Sequence, residues 1–150
     1  MQKDMRFMLR ALFAVVVVVL MVACRGEQHS VEVHDQPTTG WEGVEEFTFV
    51  NEDTLSMREI AVVLRYDRRE VVDTLPINIV TISPDSLVLS ENMTLRIPRL
   101  GDIRPAEQSF PYRRGVVLQR SGEYRFRITP RALAKGVGSV GLLITNQSEE

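Results

Sequence analysis

Gly122-Glu-Tyr-Arg-Phe-Arg-Ile-Thr-Pro-Arg131 carries the cleanest periodicity in the chain. Tyr124, Phe126 and Ile128 alternate with Arg125 and Arg127, the pattern of a strand with one buried face. The same alternation recurs on both sides. Phe47 and Phe49 alternate with Glu46, Thr48 and Val50, and Ile60, Val62 and Leu64 with Ala61, Val63 and Arg65, before Tyr66. Ile77 and Ile79 to Ile82 follow Pro76, Ser83-Pro84-Asp85-Ser86 reads as a turn, and Leu87 to Leu89, Thr94 to Ile97, Val116 to Leu118 and Val140 to Ile144 complete the set. Short strands at regular spacing with turns between them predict an all-β fold, an antiparallel β-sandwich of jelly-roll or Ig-like type, with a barrel as the alternative. Pro130 to Lys135, ahead of Gly136, has the composition of one short helical turn.

The N-terminus is of another kind. Lys3, Arg6 and Arg10 precede an uncharged run from Ala11 to Ala23, and Cys24, the only cysteine, follows directly. A positive region, an apolar region and a small residue before cysteine have the order of a lipoprotein signal peptide. Residues 1–23 are then the signal peptide, residues 24–40 a lipidated Cys24 with a flexible tether, and residues 41–150 the sandwich domain. Within the tether, Val31 and Val33 alternate with Glu32 and His34, so it has room for a short strand. Three other readings compete. One is a buried structural cysteine, but Arg25-Gly26-Glu27-Gln28 follows Cys24 and no core pattern does. The 13 residues from Ala11 to Ala23 fall short of the roughly 20 that a spanning helix needs. Cleavage by an ordinary signal peptidase would leave a lone free thiol in an oxidising compartment. Bacterial lipoproteins carry two or three acyl chains, palmitate among them, and each buried methylene contributes about 0.8 kcal/mol, so such an anchor is permanent. The expected location is the bacterial cell envelope, on the outer membrane.

From Cys24 onward the chain has 15 basic and 19 acidic residues. A mildly acidic chain gives no reason to expect nucleic acid. The charge is segregated: residues 24–95 carry 5 basic and 14 acidic groups, residues 96–131 nine arginines and three acids. Either acidic early strands lie beside basic late ones and their charges pair, or an Arg-rich face awaits lipid phosphates, an acidic glycan or an acidic protein.

No motif of catalysis is present: no nucleophile elbow, phosphate loop or dinucleotide fingerprint. His29 and His34 fall in the tether, where neither a positioned base nor a metal site is expected. Glu45 and Glu46 point to opposite faces of a strand, and Glu52, Asp53, Asp67 and Asp73 read as solvated groups, so no enzyme, cofactor or metal is expected. Trp41, Tyr66, Tyr112 and Tyr124 are the aromatics with polar handles. Tyr124 reads as core by its phase with Phe126, whereas Trp41 between Gly40 and Gly43 reads either as core or as a contact. Residues 99–115, with Gly101, Pro105, Pro111 and Gly115, form the longest non-periodic stretch and read as a loop, either functional or an ordinary crossover. Candidates for partner or ligand contact are therefore Trp41, Arg104, Tyr112, Arg113 and Arg114.

Several blocks together resemble the gliding-motility lipoprotein GldH family of the Bacteroidetes. They are the signal ending at Cys24, the early Trp41, Phe47-Thr-Phe49, Val62-Val-Leu-Arg-Tyr66, Leu75-Pro-Ile-Asn-Ile79, Gly122 to Arg131, Leu133 and Gly136 to Leu142. The departure is in residues 99–115, which lack the tryptophan usual in that family's loop. The resemblance implies a membrane-anchored lipoprotein without enzymatic activity. It would act by protein–protein interaction as an accessory of the gliding or secretion machinery, with envelope proteins as partners. Only the lipid-bearing Cys24 transfers residue by residue. A lipid-anchored carbohydrate-binding module is the alternative.

Overall fold

A computed structural model describes residues 29–98 and 106–147. The signal peptide, Cys24 and Arg104 lie outside them. Eight strands form the fold: β1 (Ser30–Asp35), β2 (Glu45–Asn51), β3 (Met57–Tyr66), β4 (Thr74–Ile82), β5 (Val88–Arg96), β6 (Ala106–Val117), β7 (Gly122–Pro130) and β8 (Val137–Asn146). They pair antiparallel in two four-stranded sheets, ordered β1-β8-β3-β6 and β2-β7-β4-β5. The predicted sandwich is thus present, and the strand order is that of a jelly roll, whose chain alternates between sheets in long crossings.

The alternations place the core. Phe47 faces Phe126 across the β2–β7 pair and Phe49 faces Tyr124, while Ile79 lies opposite Ile128 on β4. From the other sheet Ile60, Val62 and Leu64 meet Ile144, Leu142 and Val140 in register. All of these are buried in one apolar cluster between the sheets. Each such side chain contributes about 1.5–3 kcal/mol on burial.

Three expectations change. Pro130 to Lys135 form no helical turn. Pro130 instead closes β7, the Arg131 amide donates to Pro76 O at 3.0 Å, and Ala134 exchanges two backbone hydrogen bonds with Trp41. That pairing requires Gly40, whose φ is +109° and where a Cβ would lie 2.5 Å from Ala134 O. The expected tether also shrinks, because Ser30–Asp35 pairs with β8 as an edge strand. Finally, residues 106–115 of the expected 99–115 loop belong to β6, the longest of the described strands.

A polar hub sits inside the sandwich. Arg58 of β3 is 0% exposed, bonds Asn146 Oδ1 at 2.7 Å and Asn51 Oδ1 at 3.0 Å, and lies over the Phe49 ring at 5.1 Å. Asn51 donates in turn to the carbonyls of Leu118 and Arg120 at 2.8 and 2.9 Å. This hub ties β2, β3, β8 and the β6–β7 turn together by satisfying polar groups that burial would otherwise penalise.

Candidate functional site

The sequence candidates from Tyr112 to Arg114 fall on β6, the edge strand of its sheet. Two irregularities shape that strand. Its register with β3 passes from Pro111↔Ala61 to Arg113↔Ile60 and then to Val116↔Arg58. Tyr112 is therefore an extra residue at the first step, and Arg114 and Gly115 stand opposite the single Glu59 at the second. Gly115, at φ +63°, supplies the left-handed conformation. Such bulges re-aim side chains. Here Tyr112 is half-buried against the core and its hydroxyl donates to Glu91 of β5, in the opposite sheet. Arg113 pairs with the same carboxylate and lies 4.9 Å from the Tyr112 ring centroid. Glu91 thus receives a phenol and a guanidinium at once. The Tyr112 hydrogen bond, and then Arg113, hold its carboxyl below the usual range; burial, and then Glu91, push the Tyr112 hydroxyl up. Chemically this is a clasp between sheets, because both donors are consumed by one acceptor. Arg114, exposed, is left facing outward.

A second cluster closes the opposite edge, where β1 lies by β2. His34 stacks on Phe47 at 4.6 Å, bonds Glu45 at 2.6 Å through Nδ1 and Glu32 at 3.1 Å through Nε2. Gln36 reaches the other Glu45 oxygen at 2.9 Å. Desolvation opposes protonation of the imidazole, but its hydrogen bonds to Glu45 and Glu32 outweigh it and raise its pKa. His34, assigned to a tether from sequence, is therefore fixed in a strand. Among the described residues no group of three or more His, Cys, Asp or Glu is placed to hold a metal ion.

The remaining candidates do not join these clusters. Trp41 is fully buried, its indole N–H bonded to Gly43 O at 2.8 Å, so it is a core residue and not a contact residue. Tyr66 and Tyr124 are buried as well, and Tyr112 is held by Glu91, so the four do not form an exposed stacking platform. Glu45 and Glu46 diverge, one to His34 and the other to Arg127 at 2.5 Å. Three pairs of the segregated charges meet: Glu46–Arg127, Glu91–Arg113 and Asp85–Arg120 each join an early acid to a late arginine.

One surface was not legible beforehand. β1 turns Ser30, Glu32 and His34 inward and its valines outward, leaving Val31 51% and Val33 46% exposed. They extend an apolar band over the outer face of their sheet. One rung reads Val31, Leu143, Ala61, Pro111 and the next Val33, Gly141, Val63, Ser109. Ala61 is 1% exposed yet stands outside the core cluster, and a Cβ on Gly141 would lie 2.8 Å from Val33 Cγ2. The small residues thus form a floor over which the valines lean.

No family model matches the chain, and no curated protein matches it. Among solved structures it is similar to a chain of the infectious bursal disease virus Gx strain, at 10% identity and TM-score 0.32, over 79% of this chain and 30% of that one. It is also similar to dimeric latent PorU from Porphyromonas gingivalis, at 11% identity and TM-score 0.29, over 81% of this chain and 13% of that one. The chain thus spans less than a third of the length of either.

Proposed function

We propose that this protein is a lipid-anchored envelope protein that works by binding other proteins, as an accessory of a gliding or secretion apparatus on the outer membrane. The observation that carries the reading is the order of the N-terminal segment. A basic stretch and an apolar run end at the single cysteine, and a folded strand begins six residues later. The resemblance to GldH supplies the apparatus. Its most specific blocks fall on β7, on the turn that pairs with Trp41, and on β8.

The domain acts by display and not by chemistry. Acyl chains on Cys24 confine it to a surface, which raises the local concentration of any partner in the same plane. The partner-binding element is β6. An edge strand offers unpaired backbone groups for strand addition, and Arg114 offers a guanidinium for a carboxylate.

Metabolic labelling with an alkyne fatty acid tests the anchor: wild type should be marked and Cys24→Ala should not. Equal labelling of both ends the proposal. Affinity capture from envelope extracts tests the partner face: Arg114→Glu should lose a co-purifying envelope protein that wild type retains.

A further inference from the structure

We propose that the apolar outer face of the β1-β8-β3-β6 sheet rests on the lipid surface to which Cys24 is anchored, so that the domain lies flat on the membrane. This rests on the acylation of Cys24 proposed above.

Three observations carry it. First, the polarity of β1 is inverted. A strand whose valines face solvent while its Glu and His face inward is the reverse of the usual sandwich pattern. A one-residue slip would bury the valines, but the bonds from His34 and Gln36 to Glu45 fix the present register. The exposure is therefore built in. Second, the band continues across the sheet through Leu143, Ala61, Val63 and Pro111, and charge is confined to its ends. Glu59 lies at one end opposite the exposed Arg114, Asp35 lies at the other, and Arg65 is paired with Glu107 at 3.7 Å. Third, six residue steps separate Cys24 from Ser30. At 3.3–3.6 Å each they span about 20 Å at most. The strand that enters the band is thus held within that reach of the acyl chains.

A face of valines without aromatic anchors binds lipid weakly alone. Behind a short linker it experiences an effective concentration on the order of millimolar, so weak contact suffices once the anchor is in place. With Arg114 opposite Glu59, Arg65 paired with Glu107 and Asp35 left over, the face suits a zwitterionic surface better than an anionic one.

The experiment uses the acylated protein in phosphatidylcholine vesicles. An environment-sensitive fluorophore is placed at Val63→Cys in the band, with Pro111→Cys as a second reporter should the first misfold, and at Thr94→Cys on the outer face of the other sheet as control. Mass spectrometry of Cys24 is read in parallel. The expected result is a blue shift and several-fold stronger quenching by bromolipid at position 63 or 111 than at 94, lost in Val31→Glu/Val33→Glu. Equal signals from band and control in a protein whose Cys24 is acylated overturn the docking and leave the anchor standing. A Cys24 without acyl groups overturns both. A shift that grows with concentration in lipid-free Cys24→Ser protein assigns the face to a second copy and overturns the lipid proposal.

Discussion

Replacing Asn51 by Leu keeps nearly the same volume and removes three hydrogen bonds from the buried hub. Two are neutral, to the carbonyls of Leu118 and Arg120, and one is charge-assisted, from Arg58. At about 1 kcal/mol for each neutral bond and about 2 for the charged one, the sum is about 4 kcal/mol. The Arg120 carbonyl is only part-buried and regains water, which brings the expected loss to about 3 kcal/mol. Urea unfolding of the Cys24→Ser protein reads this directly. With a slope of about 1.5 kcal/mol/M the midpoint falls by about 2 M, at unchanged slope. The double variant Asn51→Leu/Arg58→Met sharpens the test. If the hub is one coupled unit, the second substitution adds less than its own single effect, because the Asn51–Arg58 bond is already gone. A loss under about 0.5 kcal/mol for Asn51→Leu, the range of ordinary surface changes, would refute the reasoning.

Trp41→Ala should lose about 3–5 kcal/mol by chemical denaturation, as expected for a fully enclosed indole, and wild-type emission from this single tryptophan should be blue-shifted and poorly quenched by iodide. Gly141→Ala should displace Val33 and the Glu32 backbone, lowering stability by about 1–3 kcal/mol and opening the β1 amides to hydrogen exchange before those of β3. Because the folded-state pKa of His34 is raised above 6.5, its protonated form contributes stability that is complete below pH 6.5 and lost as pH rises through the folded value. Thermal midpoints measured from pH 6 to 9 should fall in wild type and stay flatter in His34→Gln. Asp53, held at about 2 by Ser56 and by the amides of Leu55 and Ser56, should titrate there by carbon-detected NMR and move up in Ser56→Ala.

Much of the sandwich was legible because its central strands obey the simplest rule. β2, β3, β4, β7 and β8 each turn alternate apolar residues to the core, so their alternation survives in the sequence. β6 was hidden by Pro111 and Gly115, which read as loop residues. An edge strand tolerates a proline with no ladder bond to give, and a bulge uses the glycine. β1 was ambiguous because its alternation has the opposite sign, polar residues inward, which only the proximity of β2 explains. Pro130 to Lys135 read as helical by composition, but pairing with Trp41 and Pro76 overrides local propensity. The clasp at Glu91 combines β5 and β6 from opposite sheets, and nothing in the spacing of Glu91 and Tyr112 announces that meeting.

The order β1-β8-β3-β6 has a consequence for biogenesis. Within its sheet β1 has one neighbour, β8, the last of the described strands in chain order. As the chain is made, Ser30–Asp35 must wait unpaired until Val137–Asn146 has followed. Only then can β8 slot between β1 and β3 and complete that sheet of the sandwich. Chains stalled before Val137 should therefore remain protease-sensitive at Ser30–Asp35, and a factor that shields Val31 and Val33 would be needed most in that interval.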